Sequence, residues 1–193
     1  MFLEEKTLES LSVLLGRVCP EAALFGEKMK DALLEYTGDE LLVEYAKLFV
    51  GPFELKAAPY GSIYLEEGRK IMGDTTLEVT RIYKEEGLSL DDNYRELPDH
   101  IAAELEFMYY LAYHEVEALA NNAPERAAHF LDRQEHFLRT FLGGWVEPFC
   151  DKIRQGTEND YYKALAGCLS VFITKTHFSD ALPEELKMGL ART

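Results

Sequence analysis

Two residue patterns in this chain have the types and spacing to do chemistry. The first is a set of acid–imidazole pairs one helical turn apart: His100 with Glu104, Glu125 with His129, and Asp132 with His136. At i, i+4 on a helix, both side chains of a pair share a face. Such pairs, pointed into a bundle, can ligate a metal, so a metal-carboxylate helical-bundle enzyme is one reading. The di-iron version of that site requires Glu-x-x-His on two helices, and this chain has no such spacing. Acid–histidine pairs at i, i+4 also form as ordinary solvated helix pairs. The second pattern is the polar turn Glu96-Leu97-Pro98-Asp99-His100. An acid in a first helical turn is favoured by the helix dipole, which accounts for Asp99. It does not account for His100, whose protonated ring is unfavourable at a positive helix end. Together Glu96, Asp99 and His100 present polar groups at a bend in the chain, where a ligand can be clamped.

Other catalytic signatures are missing from the sequence. There is no GxxxxGK[ST] phosphate loop, no GxSxG elbow and no HExxH. Cys19, Cys150 and Cys168 have no CxxC spacing and no neighbouring base, so they read as small buried thiols. No catalytic residue, metal ligand or cofactor is assigned.

The elements that must position the turn are helical. After Pro98, apolar residues recur at Ile101, Leu105, Met108, Ala112, Val116 and Leu119, one stripe of a helix that Pro98 opens and Asn121-Asn122 ends. A helix from Pro124 carries Ala127, Phe130, Leu131, Gln134, Phe137, Leu138 and Phe141, and Gly143-Gly144 is expected to stop it. A shorter helix is expected from about Trp145. A further one is expected over about 159–177, with Tyr162, Leu165, Leu169, Phe172 and Thr176 inward. Upstream, residues 3–16, 20–36 and 39–50 read as helices, the last with Leu41, Tyr45, Leu48 and Phe49 inside. Thr75 and Glu78 suggest a capping box for a helix through Lys84. No period-2 strand pattern stands out. The expectation is an all-α, single-domain bundle of about nine helices. Proline and glycine break helical pattern over residues 51–61. A second irregular stretch, residues 87–97, is read as a hinge between parts 1–86 and 98–193.

Composition narrows the function classes. The chain has 193 residues, 47% of them hydrophobic, with 11 Phe and 11 Tyr. That suits a folded globular domain. Its formal charge of −15 repels phosphate backbones and anionic bilayers and attracts basic ligands. No nucleic-acid partner is expected. The odd, unpaired cysteines suit a reducing cytoplasm. The first five residues do not read as a secretory signal, and no run of 18 apolar residues suggests a membrane span.

Two segments resemble a known family. Tyr45-Ala46-Lys47-Leu48-Phe49-Val50-Gly51-Pro52 is similar to the Y-x-x-L-F-x-G-P segment of the TorD/DmsD-type redox-enzyme maturation chaperones. Glu96-Leu97-Pro98-Asp99-His100 resembles their E-P-x-D-H signature, with Leu97 in place of a proline, and Ile101–Met108 resembles its usual continuation. The resemblance covers residues 45 to about 110. It implies an all-α, cytoplasmic chaperone without turnover of its own. Its partner would be the apo-form of a molybdenum or tungsten bis-pterin oxidoreductase, held often by its twin-arginine leader until the cofactor is inserted. An acidic surface suits the arginines, and an aromatic groove suits the apolar run that follows them. The peptide-binding candidates are Tyr45, Phe49, Gly51, Pro52, Glu96, Asp99 and His100. A nitrate-reductase-type assembly chaperone, acting on a subunit that is not exported, remains the neighbouring alternative. The hinge also permits a domain-swapped dimer as well as a monomer.

Overall fold

The computed structural model describes residues 5–51, 55–68 and 71–175. Among these residues the fold is all-α, and the only strand-like pairing is a single antiparallel bridge between Tyr60 and His100. No helix among them is long and apolar enough to cross a membrane. Residue 3, Pro52, Thr176 and His177, which figured in the expected helices and site, lie outside the described residues. The chain divides into two compact units. One comprises the described residues within 1–59 and 145–176, the other those within 60–144. The stretch 87–97 therefore lies inside the second unit.

The first unit holds α1 (Glu5–Val18), α2 (Pro20–Glu35) and α3 (Gly38–Tyr45), then α8 (Gly143–Gly156) from Trp145 onward and α9 (Asp160–Lys175). Pro20 stands at the first position of α2, where its missing N–H costs no bond. A capping box starts α3: Thr37 Oγ1 accepts the Glu40 N–H at 3.3 Å, and Glu40 Oε2 accepts the Thr37 N–H at 2.8 Å. Asn159 caps α9 through its side-chain oxygen, which accepts the Tyr161 N–H at 3.0 Å. Helix α2 packs against both α1 and α9. Gly26 faces Ser12 and Gly167 faces Phe25 so closely that a Cβ at either would overlap its neighbour. Trp145, Met29, Leu41, Leu48 and Ile153 are fully enclosed. On α9 Tyr162 is buried as expected, but the rest of the buried face is Tyr161, Ala164, Ala166, Gly167, Cys168, Ser170 and Ile173, rotated from the expected stripe, and Leu165, Leu169 and Phe172 are only half-buried. The small residues on the buried face allow the close approach of α2, which bulky leucines would prevent. All three cysteines are free and buried, and burial raises the thiols of Cys150 to about 12 and Cys168 to about 11.

The second unit holds α4 (Ser62–Leu65), α5 (Asp74–Glu85), α6 (Ile101–Ala120) and α7 (Pro124–Phe137). Helix α6 packs along α7. Tyr83, Phe107 and Phe137 form the aromatic centre, with Tyr83–Phe107 and Phe107–Phe137 centroids 4.7 and 4.9 Å apart. The inward face of α7 is the expected one: Ala127, Phe130, Leu131, Gln134 and Phe137 are buried. That of α6 is not. Met108 is buried as expected, but its companions inside are Ala103, Phe107, Leu111 and Ala118, while Val116 is 65% exposed. This helix is apolar around most of its circumference, so periodicity alone selected the wrong stripe.

Three boundary expectations are corrected. Helix α5 starts at Asp74 after Gly73, with no side-chain cap. The Thr75 N–H donates to Glu66 Oε1 at 2.7 Å, and Glu78 pairs with Arg81 instead. Pro98 precedes α6 altogether, because His100 is the N-cap. Gly143-Gly144 does not stop the helical path. A π-helical turn over Leu138–Leu142 continues from α7, and Gly143 opens α8 directly. A Cβ on Gly143 would lie 2.7 Å from the Leu138 carbonyl oxygen, so this glycine permits the tight passage.

Candidate functional site

The Glu96–His100 turn is held by hydrogen bonds from Tyr60, Ser62 and Tyr83 within the second unit. The chain reaches it from α5 through an irregular segment, and Leu97 and Pro98 prevent the helix from starting early. The His100 N–H donates to the Leu97 carbonyl at 3.0 Å, which closes the turn. His100 Nδ1 then accepts the Ala102 N–H at 3.1 Å and caps α6. An imidazole that accepts at Nδ1 carries its proton on Nε2, so the capping ring is neutral. Burial lowers the His100 pKa, against the opposing pull of the Glu96 and Asp99 charges. The expected conflict between a histidine and a positive helix end is thus resolved. His100 meets the helix as an acceptor, not as a cation.

Asp99 does not sit in a helical first turn. Its carboxylate is fully buried, and Oδ2 accepts the Ser62 N–H at 2.8 Å. The Asp99 carbonyl accepts the Gly61 N–H at 2.9 Å. Both bonds fasten the turn to the 60–62 segment. Tyr60 supplies a third link, because its hydroxyl donates to Glu96 Oε2 at 2.6 Å and its ring meets the His100 ring edge-on at 5.3 Å. Burial and the adjacent Glu96 charge push the Tyr60 hydroxyl pKa up, so it stays a donor. Behind the turn, the Tyr83 hydroxyl donates to the Pro98 carbonyl at 3.0 Å. Glu96 remains exposed, and among the described residues no lysine or arginine pairs with Glu96 or Asp99. The turn therefore presents net negative charge to solvent on a braced backbone.

The other candidates belong to the first unit. Tyr45 is 44% exposed, and its ring lies 5.1 Å from that of Phe49. Phe49 is half-buried and also meets Phe149 and Tyr162, at 6.1 and 6.0 Å. Tyr45 precedes, and Phe49 lies within, a π-helical turn over Ala46–Val50 that ends at Gly51, whose N–H donates to the Ala46 carbonyl at 2.7 Å. Gly51 has φ 50° and ψ 158°, a region that side chains disfavour. The Y-x-x-L-F-x-G pattern thus builds an aromatic corner: Leu48 anchors it in the core, Phe49 joins the ring cluster, and Tyr45 faces outward.

The acid–imidazole pairs do not converge. His129 Nε2 lies 3.3 Å from Glu86 Oε2, His136 meets the Phe141 ring, and His100 is turned to its own helix. Among the described residues no three His, Cys, Asp or Glu side chains are placed to share a metal. Tyr60, Ser62 and Tyr83, the residues that hold the turn, went unnoticed in the sequence. Each lies 15 to 37 residues away along the chain from its partner, and no local spacing signals such a contact.

Comparison with known proteins shows which family the chain belongs to. A family model described as "Nitrate reductase delta subunit" matches residues 18–151. Chaperone protein TorD of Vibrio parahaemolyticus is 26% identical over 136 residues, covering 69% of this chain and 60% of that protein. The probable Tat proofreading chaperone DmsD of Haemophilus influenzae is 31% identical over 123 residues, covering 64% and 53%. The Tat proofreading chaperone DmsD of Salmonella typhi is 28% identical over 142 residues, covering 72% and 63%. The chain spans between half and two thirds of the length of these relatives.

Proposed function

Because the chain belongs to the nitrate reductase delta subunit family, we propose that it is a maturation chaperone for a molybdenum- or tungsten-dependent oxidoreductase. It holds the apo-form of the catalytic subunit, and its basic and apolar leader, in the cytoplasm until the bis-pterin cofactor is in place. The observation that carries this reading is the Glu96–His100 turn: a rigid, acid-bearing loop whose carboxylates have no cation of their own among the described residues. Such a loop is electrostatically prepared for a basic segment, and the chain's charge of −15 steers that segment toward it. The relatives' names, TorD chaperone and Tat proofreading chaperone, supply the class of client.

Within this reading the residues divide the work. Glu96 contacts the basic segment, and His100, half-exposed at the helix start, offers its Nε2–H as a neutral donor. Asp99 positions the turn from inside. In the first unit Tyr45 offers an aromatic contact for the client, held by Phe49 and Gly51. Pro52 completes that motif outside the described residues. The test is a titration of the protein with the leader peptide of an oxidoreductase encoded beside it, for wild type, Glu96→Gln and His100→Ala. Weakened binding in both variants is expected. Equal affinity in all three removes the turn from the site, and failure of the wild type to bind either leader or apo-enzyme overturns the chaperone reading.

A second reading is favoured by the family description itself. A nitrate-reductase-type assembly chaperone acts on a catalytic subunit that is not exported. Co-purification of the chain with a client whose leader has been deleted separates the two, because only an assembly chaperone keeps its grip.

A further inference from the structure

The second unit contains another concave site, distinct from the Glu96–His100 turn. After α5 the segment Leu88–Tyr94 runs back over α5 and α6 and encloses a cavity of about 290 Å³. Its inner wall is Tyr83 and Phe107, exposed by only 5% and 3%. Tyr94 and Tyr110 add two further rings, and Asp91 and Glu106 bring carboxylates to the lining. The Tyr110 ring lies nearly parallel to that of Phe107, at an interplanar angle of 11°.

Three features of this lining point to one kind of occupant. The Tyr94 hydroxyl oxygen is buried, and no protein group bonds to it among the described residues. Glu106 is exposed, and no lysine or arginine among the described residues pairs with it. One Asp91 oxygen accepts from the backbone and side chain of Asn93, at 2.7 and 3.0 Å, which fixes the carboxylate at the cavity edge. An apolar side chain here would cover these polar groups without satisfying them. An anion, or a nucleotide with its phosphates, would meet two carboxylates and the field of a strongly acidic protein. A cation that also presents a flat face satisfies both halves of the lining. Guanidinium is such a group: it stacks on aromatic rings, it is weakly hydrated, and it carries several donors. The volume is at the lower edge of small-ligand sites and suits one side chain.

We propose that this cavity receives a single arginine side chain of the client polypeptide. The guanidinium lies against the tyrosine rings and donates to Glu106, Asp91 and the Tyr94 hydroxyl oxygen. The proposal rests on the chaperone reading and names a contact that reading does not.

The test uses the full chain and a fluorescently labelled peptide with two adjacent arginines ahead of an apolar run. Its companion replaces each arginine in turn by citrulline, which keeps the shape and loses the charge. Wild type is expected to bind one of the citrulline peptides about tenfold more weakly than the parent. Glu106→Gln and Tyr94→Phe are expected to bind the parent more weakly and to lose most of the discrimination against that citrulline peptide. Circular dichroism of both variants checks that they are folded, which the exposed position of Glu106 favours. If both variants discriminate as wild type does, the cavity is not the arginine site, and the chaperone reading survives. If wild type binds neither the peptide nor an apo-enzyme, both ideas are overturned together.

Discussion

The Ser62 N–H and the Asp99 carboxylate, 37 residues apart in sequence, meet at 2.8 Å in a fully buried position. This bond fastens the start of the short helix α4 to the turn before the long helix α6. A buried amide that loses its acceptor bears its whole desolvation cost, so the pair is worth more to the fold than its single bond suggests.

Asp99→Ala is therefore expected to destabilise the protein by about 1–3 kcal/mol, through the stranded Ser62 amide. Asp99→Asn keeps an acceptor oxygen in place and is expected to cost less. Urea unfolding of the three proteins measures the difference, and equal losses in Ala and Asn would show that charge, not the bond, is what matters.

His100 links stability to pH in a definite direction. Its pKa in the folded protein is lowered from 6.5, chiefly by burial, against the pull of Glu96 and Asp99. As pH falls through 6.5 the unfolded chain takes up a proton that the folded chain refuses, so stability declines until the folded pKa is passed. Above 6.5 the neutral cap contributes fully. His100→Asn retains a capping side chain without a titrating ring. Denaturation midpoints measured from about pH 8 to about pH 5 should fall for wild type and fall less for the variant. The carboxylates with lowered pKa values, Glu44 and Glu40 among them, act below 4.5 and do not overlap this window.

Gly51→Ala tests the aromatic corner. At φ 50° and ψ 158° an added Cβ is strained, and the expected loss is about 1–3 kcal/mol. Near-ultraviolet circular dichroism should also change, because Gly51 ends the turn that carries Phe49 to its ring partners.

Client association should depend on salt. With 15 net negative charges, the protein steers a basic leader at long range. Stopped-flow association rates are expected to fall steeply as ionic strength rises, with a smaller change in dissociation. A rate independent of salt would argue that apolar contacts alone capture the client.

Much of this architecture is legible in the residues, and the gaps have physical causes. Helix α7 was readable because charged residues separate its apolar ones, so a single stripe stands out. Helix α6 was not, because Tyr109, Tyr113 and Val116 are apolar and exposed, and two stripes compete. The Ser/Thr-x-x-Glu pattern occurs at Thr37–Glu40 and at Thr75–Glu78, yet only the first caps a helix, because Glu66 takes the Thr75 amide. Gly143 looked like a stop because a glycine pair usually ends a helix, whereas here it makes room for a carbonyl oxygen. The polar turn was visible as a motif. What braces it was hidden, because Tyr60 and Ser62 approach it only in three dimensions.

The division of the chain also has a consequence for synthesis. Among the described residues the second unit is one continuous stretch, 60–144, whereas the first joins an early segment to a late one. Helix α2 emerges from the ribosome well before α9, its packing partner, exists. At ordinary elongation rates the wait is on the order of ten seconds. During that interval Phe25, which Gly167 of α9 later meets at close approach, lacks that partner, while the described part of the second unit, 60–144, is already complete in sequence. This protein is thus set to fold from its middle outward, and its own first helices pass through a period in which they resemble the unfinished clients it is proposed to hold.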